Sequence, residues 1–167
     1  MRRLLLPMSM LSLLSTGAIF GFFYAWVCST MWGLDAVDPR IAISAMQAMN
    51  ASVRNAVFFP AFFLTPIILA ATALIAARHK RNRSATLLAA AAVLYLAGAF
   101  VVTAMVNVPM NEALAEVAVP TDIEAARALW HGYSPQWQFW NALRTLASGV
   151  SLILTGLAVY FLNLENI

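Results

Sequence analysis

The chain has 167 residues, of which 62% are hydrophobic and 10% charged, and its mean hydropathy is +0.79. Soluble domains carry about 45–50% apolar and about 25% charged residues, so this composition excludes an ordinary soluble protein, and the length allows one domain. The formal charge of +3 rests on only ten Lys and Arg residues, which form no basic face, so nucleic acid is not an expected partner.

Four uncharged stretches divide the chain, and each is long enough to cross a bilayer. They are residues 4–34, 55–77, 84–111 and 145–164. About 20 apolar residues at 1.5 Å per residue cross a hydrocarbon core of about 30 Å, and spans must be helical because lipid offers the backbone no hydrogen-bond partner. The predicted fold is an all-α, integral membrane four-helix bundle. It forms one transmembrane domain over residues 1–167, with spans of about 8–32, 54–77, 84–108 and 141–163.

The first span begins like a secretory signal peptide, since Arg2 and Arg3 precede a Leu-rich stretch. A signal peptide has an apolar region of about 7–15 residues, whereas here the apolar character continues to Trp32. A retained helix is therefore expected, with cleavage after Ala18 as the alternative. Gly33 is typical of the residue at which such a helix ends.

A further helix is expected between the first two spans. Asp38 followed by Pro39 is typical of a helix N-cap and first turn. This helix is expected to run through Val53, where it either ends or merges with the second span. Within the second span, Pro60 and Pro66 are expected to bend the helix and to free carbonyl groups.

The connection between the third and fourth spans carries two more helix-start signals. Thr121 and Glu124 form a capping box, which predicts a short extra helix in the 112–134 connection. Ser134 followed by Pro135 repeats the cap-and-proline signal. The fourth helix is therefore expected to start near residue 135 and to project above the bilayer.

The distribution of charge predicts the orientation of the bundle. The N-terminus, the 78–83 loop and Glu165 together carry a net charge of +5, whereas the two longer connections carry −2. Because cytoplasmic loops carry the excess of Lys and Arg, both termini are expected in the cytoplasm and the two longer connections on the outer side. The basic 78–83 loop also predicts contact with anionic membrane lipids.

The spans hold few groups that suit catalysis or ion transport. Their only titratable side chains are Tyr24, Cys28, Tyr95 and Tyr160, whereas proton-driven carriers use intramembrane carboxylate, Lys or His groups. The single cysteine excludes an internal disulfide. The two histidines fall on opposite membrane faces, and no HxxxH or ExxH spacing occurs, so neither a metal nor another cofactor is expected.

Polar and aromatic side chains gather at the outer ends of three spans. The third span ends with Asn107 and Asn111, and the second opens with Arg54 and Asn55. One stripe of the fourth helix, at i, i+3, i+4 and i+7, is formed by Trp137, Trp140, Asn141 and Arg144. We expect these groups to form a pocket in which Trp rings hold a flat aromatic ligand while Asn and Arg groups hydrogen-bond its oxygens.

Structural interpretations compete with this pocket. Tryptophans at a membrane boundary form an aromatic belt, and an arginine at a helix end extends towards the interface. Arg144 and its neighbouring amides would equally form a purely structural hydrogen-bonded knot. His131, in the outer connection, is either a surface residue or a base beside the ligand.

Several segments of the chain resemble a known family. The pattern VNVPMNEAL at 106–114, followed by WQFWNALRT at 137–145, is similar to the anthrone oxygenase-like family in order and in position at the span ends. Residues 21–34 and 45–63 also resemble bacterial members. The resemblance implies a small four-helix, multi-pass protein of the bacterial inner (cytoplasmic) membrane, in a family whose bacterial members are mostly of unknown function.

The resemblance also implies an activity. Fungal members are similar to enzymes that oxidise a polyketide anthrone to an anthraquinone with O2, without metal or flavin. Carried over by motif position, the shared polar and aromatic residues are Asn107, Asn111, Trp137 and Arg144. The chain departs from the fungal pattern at Asn141, where fungal members tend to have histidine. Because an amide cannot act as a general base, that role would pass to His131 or to the substrate's own phenolate.

Two functions are left open at this point. The first is cofactor-free oxidation of a hydrophobic aromatic or phenolic compound by O2. Its expected catalytic residues are Arg144, Asn141, Asn107 and Asn111, and its expected substrate-binding residues are Trp137, Trp140, Arg54, Asn55 and His131. The second is a non-catalytic membrane protein that binds a lipid or quinone, or a subunit of a membrane complex. The expected partners are membrane lipids and a hydrophobic small molecule, with a homo-oligomer as a further option.

Overall fold

The structure of the protein, a computed structural model, describes the backbone of residues 2–164 and the side chains of residues 4–162. The side chains of Arg2, Arg3 and Glu165, which entered the charge count, lie outside these ranges. Within the described residues the chain forms five helices, two of which contain π-helical turns, and no strand. The all-α class predicted from the sequence is confirmed.

Helix α1 is the first span. It consists of an α-helical part Arg2–Ala25, a π-helical turn Trp26–Thr30 and a final segment Met31–Asp35. The helix ends two residues later than the glycine signal predicts. Gly33 does not adopt the left-handed conformation, since no described glycine has a positive φ, and it therefore cannot form the usual C-terminal turn.

Helix α2, Pro39–Ser52, begins where the cap signal predicts. The Asp38 carboxylate accepts from the Arg40 backbone N–H over 2.9 Å. Hydrogen bonds from the Arg40 side chain and then from its backbone N–H lower the pKa of this exposed carboxyl to about 2. The helix ends before the second span instead of merging with it, and a turn at 53–57 separates the two. In that turn the Asn55 side-chain oxygen accepts from the N–H groups of Val57 and Phe58 over 2.8 and 2.9 Å.

Helix α3, Phe58–Arg78, is the second span and contains one proline in its interior. Pro60 lies in the first turn, where a missing N–H costs no helical hydrogen bond. Pro66 lies inside the helix and frees the carbonyl of Phe62, four residues earlier. The hydroxyl of the fully buried Tyr95 donates to that carbonyl over 2.9 Å. The freed backbone group is thus satisfied by the neighbouring span.

Helix α4 is the third span. It consists of Asn82–Tyr95, the π-helical segments Leu96–Val101 and Thr103–Asn107, and a final α-helical segment Val108–Ala115. The second π-helical segment ends with the N–H of Val108 bonded to the carbonyl of Thr103. Pro109 follows at once, and its missing N–H interrupts the helical hydrogen bonding. π-helical turns frequently mark functional sites. This one begins at Thr103 and ends at Asn107, at the same end of the bundle as the cavity described below.

Helix α5 runs without a break over Ile123–Leu164. The expected short extra helix and the fourth span are therefore one continuous helix, and the start predicted near residue 135 lies twelve residues too late. Pro135 removes the N–H that would pair with the carbonyl of His131, but both residues are exposed, so the lost bond falls on an open face. Ser134 does not cap a helix and instead donates to the Asp35 carboxylate over 2.7 Å.

The four long helices form an antiparallel bundle, in which α1 and α4 each pack against both α3 and α5. The backbones of α4 and α5 approach closely at Gly98, where an added Cβ would lie 2.5 Å from the Cβ of Ala147. Helix α2 contacts α5 and the last segments of α1 and α4. We refer to this end of the bundle, which holds the connections 36–38, 53–57 and 116–122, as the α2 end.

The outward surface of the bundle suits a lipid environment. Four helices are long and apolar enough to cross a membrane: Leu4–Asp35, Phe58–Arg78, Asn82–Ala115 and Ile123–Leu162. Large apolar side chains on their outer faces are exposed, such as Leu14, Ile67 and Leu146, with 71%, 61% and 69% of their surface accessible. Continuous apolar surface of this kind needs lipid to cover it. The protein is a multi-pass membrane protein.

Candidate functional site

A cavity of about 330 Å³ lies at the α2 end, enclosed by side chains from all five helices. Its aromatic lining consists of Phe22, Trp26, Phe58, Phe59, Phe62, Phe63 and Trp137. Its polar lining consists of Asn50, Arg54, Thr103, Asn111, Glu112 and Arg144. The volume is at the lower end of the range of about 300–1,000 Å³ typical of small-molecule sites, which are also mostly apolar with a few polar groups.

Arg144 is the buried charge of this cavity, with 5% of its surface exposed. Its Nη2 donates to the side-chain oxygen of Asn141 over 2.9 Å, and its Nη1 donates to the Thr103 hydroxyl over 3.2 Å. The guanidinium carbon lies 4.6 Å from the ring centre of Phe23 and 5.2 Å from that of Trp137, within the range of cation–π attraction. These contacts hold the guanidinium in one place.

The charge of Arg144 is not balanced by a carboxylate. None of the ion pairs among the described residues includes it, and its Nε is buried without a hydrogen-bond partner. A buried cation without a counter-ion is costly. The site therefore favours an anionic group beside Arg144.

Asn141 holds Arg144 and does not line the cavity. It is 1% exposed, and its Nδ2 donates to the carbonyl of Phe23 over 3.1 Å, while its Oδ1 accepts from Arg144. Both atoms of the amide are thus engaged within the protein. Asn141 links α1 to α5 and fixes the direction of the guanidinium.

Asn111 lines the cavity and fixes an aromatic ring there. Its side-chain oxygen accepts from the Trp137 indole N–H and from the Tyr133 hydroxyl, each over 2.8 Å. The Trp137 ring in turn lies 5.0 Å from that of Trp26, centre to centre. The two tryptophans therefore form a fixed wall between α1 and α5, and Asn111 sets the position of one of them.

Asn107 is fully buried but does not line the cavity. Neither atom of its amide has a hydrogen-bond partner among the described residues. It lies on α4 between Thr103 and Asn111, both of which do reach the cavity. Of the two amides that were expected to face one ligand, that of Asn111 belongs to a cavity-lining residue and that of Asn107 does not.

Arg54 and Glu112 form the exposed side of the cavity. Arg54 Nη2 lies 3.2 Å from Glu112 Oε1, and the two side chains are 50% and 55% exposed. An exposed ion pair of this kind is worth about 0–1 kcal/mol. The pair therefore joins the 53–57 turn to α4 without closing the cavity firmly.

Three predicted site residues lie elsewhere. Trp140 is half-buried and its ring contacts Phe139, with 5.3 Å between ring centres. Asn55 caps α3 through its side-chain oxygen. His131 is exposed and lines a separate depression of about 300 Å³ that also includes Asp35. The structure does not bring these three residues into the cavity.

The site residues predicted from the sequence did not include Asn50, Thr103 or any of the five phenylalanines that line the cavity. A signal for Asn50 was present. Ile43, Met46 and Asn50 fall at helical spacing, and all three are buried on one face of α2. An amide on an otherwise apolar helix face is an unusual feature that points to a partner or a ligand.

Asp35 was also missed, and it organises the junction of α1 with α5. Its carboxylate accepts from the Trp130 indole N–H over 2.9 Å, from the Ser134 hydroxyl over 2.7 Å and from the Gln138 amide over 2.8 Å. The three donors lie four residues apart on α5. Because a break was expected at Pro135, the sequence did not predict that these three side chains share one helix face.

The chemistry available in the cavity is limited. Among its lining residues, those that carry a formal charge are Arg54, Glu112 and Arg144, and the one carboxylate is half-exposed and paired with Arg54. In the described part of the chain, no group of three or more His, Cys, Asp or Glu side chains is placed to hold a metal ion. The arrangement suits binding of a planar anion and stabilisation of its charge, and it offers no buried general base.

Comparison with known proteins gives one match. A family model described as anthrone oxygenase matches residues 49–154, more than half of the chain. The matched segment includes the whole polar lining of the cavity, from Asn50 to Arg144. Comparisons with curated proteins and with solved structures give no match.

Proposed function

Since the chain belongs to the anthrone oxygenase family, we propose that it oxidises a hydrophobic aromatic or phenolic compound with O2, without a cofactor, in the cavity at the α2 end. The observation that supports this proposal most directly is the buried, unbalanced charge of Arg144 beside a largely aromatic lining. A phenolate bound there supplies the missing negative charge. Its ring lies against aromatic side chains, which favour flat ligands.

The proposed roles follow from the contacts. Arg144 stabilises the anionic oxygen through its charge and its free Nε–H, a preorganised donor in a site that excludes most water. Trp137, held by Asn111, packs against the ring of the substrate. Asn141 is a positioning residue, because it touches Arg144 and no part of the cavity. This assignment narrows the four catalytic residues expected from the sequence to one.

The chemistry needs no protein nucleophile. An electron-rich phenolate, whose proton has passed to water, gives one electron to O2, and the resulting radical pair combines through a carbon–oxygen bond. The peroxide anion formed in this step takes up one proton from water, which replaces the proton that the phenol lost. At a ring CH₂ group, the hydroperoxide formed in this way loses water and leaves a carbonyl, so that one oxygen atom of O2 enters the product and the other leaves as water. The protein holds the anion, orients its ring and limits the access of water.

The proton of the phenol leaves without help from a base in the cavity. Asn141 cannot accept it, and the exposed His131 lines a different depression. A cation close to a hydroxyl favours its ionised form. Arg144 therefore promotes ionisation of the substrate itself, which takes the place of the missing histidine at position 141.

The proposal also includes the location of the protein. It places the chain in the inner (cytoplasmic) bacterial membrane, as the family resemblance implies, and the excess of Lys and Arg in the 78–83 loop and at the N-terminus supports both termini in the cytoplasm. The cavity then opens near the outer boundary of that membrane. A hydrophobic substrate and O2 both concentrate in the adjoining lipid.

Oxygen consumption tests the proposal. Purified protein is incubated with an anthrone or a hydroquinone, and O2 uptake is followed for wild type, Arg144→Met and Arg127→Met. Arg127 is the matched control, because it lies exposed on the same helix and pairs with Glu124. Loss of a hydrogen bond to a charged group costs about 1.5–3 kcal/mol, so Arg144→Met is expected to slow the reaction about 10–150-fold.

The control variant is expected to match wild type. If no compound raises O2 uptake above its spontaneous rate, or if Arg144→Met retains the full rate, the oxidase proposal is wrong.

The lack of a base among the cavity-lining residues favours a second candidate, non-catalytic binding of a quinone. Ring stacking and the Arg144 donor would hold a quinone as well as a phenolate. Under this alternative, mass spectrometry identifies an unmodified quinone in the purified protein, and no compound in the panel is turned over.

A further inference from the structure

Two side chains that line the cavity each carry a buried hydrogen-bond donor without a partner among the described residues. One is Nδ2 of Asn50 on α2, and the other is Nε of Arg144 on α5. Asn50 is 8% exposed and Arg144 is 5% exposed. Buried donors are almost always paired in folded proteins, so two exceptions in one cavity are informative.

Asn50 is held where it is by the packing of α2. Gln47, on the same helix, donates from its amide to the carbonyls of Leu114 and Val117 over 2.8 and 2.9 Å. One turn earlier, Ile43 and Met46 are fully buried. These contacts fix α2 against the end of α4, so the Asn50 donor cannot reach solvent without moving the helix.

The Arg144 donor is held equally firmly. Asn141 and Thr103 accept from its two terminal nitrogens, and the rings of Phe23 and Trp137 flank the guanidinium. Its Nε is therefore left as a fixed donor. The two donors come from different helices, and both side chains line the cavity together with its aromatic residues.

We propose that Asn50 and Arg144 form a two-point binding site for an aromatic ligand that carries two acceptor oxygens. An anionic or strongly polarised oxygen binds at Arg144, and a second, neutral oxygen such as a carbonyl or hydroxyl accepts from Asn50. An aromatic compound with a single oxygen satisfies one donor and leaves the other buried and unpaired, and sites of this kind discriminate against such ligands.

This inference rests on the proposed function only in placing the ligand in the same cavity, and it does not require turnover. It assigns selectivity to Asn50, a residue outside the polar stripes that the sequence pointed to. Since Nδ2 makes no hydrogen bond of suitable distance and angle with any described residue, replacing Asn50 is expected to remove little native hydrogen bonding. Binding and stability are therefore expected to respond differently.

Calorimetric titration of the full-length protein in detergent tests the inference. The probes are 1-naphthol, with one oxygen, and the 1,4-, 1,5- and 1,8-dihydroxynaphthalenes, with two oxygens at different separations. The variants are Asn50→Leu, which keeps the size of the side chain, and Asn50→Ala. Ser52→Ala is the control, because Ser52 is exposed on the same helix and bonds only to a backbone carbonyl of its own turn.

At least one dihydroxynaphthalene is expected to bind wild type about 5–10-fold more tightly than 1-naphthol, as one neutral hydrogen bond allows. Both Asn50 variants are expected to lose that advantage while binding 1-naphthol as wild type does. Thermal unfolding of each variant, followed in parallel, is expected to remain near that of wild type.

The inference is overturned if the Asn50 variants bind every dihydroxynaphthalene as tightly as wild type, which would mean that water satisfies Asn50. It is also overturned if they weaken 1-naphthol and the dihydroxynaphthalenes equally, since that result indicates a packing defect. Two-oxygen selectivity without O2 uptake would uphold this inference and contradict the oxidase proposal, so the two failures are distinguishable.

Discussion

Replacing Tyr95 by Phe is expected to destabilise the bundle through a backbone group on another helix. Pro66 leaves the carbonyl of Phe62 without its helical partner, and the Tyr95 hydroxyl donates to that carbonyl over 2.9 Å. Tyr95 is fully buried and Phe62 is 5% exposed, so water cannot easily take the place of the hydroxyl.

The magnitude follows from the burial of this carbonyl. An unsatisfied buried polar group costs about 1–3 kcal/mol, whereas hydrogen bonds between membrane helices average about 0.6 kcal/mol and reach about 1.7. Because the Phe62 carbonyl has no helical alternative, Tyr95→Phe is expected at the upper end of the membrane range, near 1–2 kcal/mol.

Pro66→Ala provides the matched test. It restores the N–H at position 66, so the helix itself can satisfy the Phe62 carbonyl and the Tyr95 hydroxyl is no longer needed for that purpose. Unfolding by SDS in mixed micelles, followed by circular dichroism, gives the free energy of unfolding of both single variants and of the double variant. Tyr95→Phe is expected to cost less in the Pro66→Ala background by about 1 kcal/mol. If the two effects simply add, the carbonyl is not what links them and the reasoning is refuted.

Two further predictions concern the close helix contact and the α2 cap. Gly98→Ala places a Cβ 2.5 Å from that of Ala147 and is expected to lower the free energy of unfolding by about 1–3 kcal/mol in the same assay. Adding Ala147→Gly should restore most of the lost free energy. A double variant that is as unstable as Gly98→Ala alone would contradict this explanation. The Arg40 hydrogen bonds hold the pKa of Asp38 at about 2, below its ordinary value of 3.8, so the stabilisation of the α2 N-terminus is complete above about pH 4 and is lost as the pH falls through about 2. The NMR signal of the Arg40 amide should titrate near pH 2 and be flat in Asp38→Asn, whereas a midpoint near 4 would show that the cap is not formed.

The candidate site shows what the spacing of side chains along a helix can predict and what it cannot. The stripe predicted that Trp137 and Arg144 share one face of the fourth span, because residues at i and i+7 lie on one helix face wherever the helix is placed, and both residues line the cavity. The same stripe included Asn141, which turns out to bond Arg144 and the α1 backbone. Periodicity identifies the face of a helix, but whether a group on that face meets a ligand or another side chain depends on the opposite helix.

The two helix-start signals that contain a proline had different outcomes. Asp38 and Pro39 started a helix as predicted, since the cap is satisfied by its own backbone over two residues. Ser134 and Pro135 carried the same local signal and did not start one, because Ser134 bonds the distant Asp35 and the helix continues through the proline. A local signal was overridden where a tertiary contact competed for the same side chain.

The sequence alone established that this protein lies in a membrane and that its fold is all-helical. Uncharged stretches of 20 to 31 residues can bury their backbone only as membrane helices, and this requirement acts on each stretch separately. The sequence did not predict which side chains from different helices meet. The charge of Arg144 without a counter-ion, the unpaired donor of Asn50 and the hydrogen bond from Tyr95 to the Phe62 carbonyl each depend on atoms from at least two helices. Such pairings arise only when the packed helices exclude water and decide which polar groups find a partner.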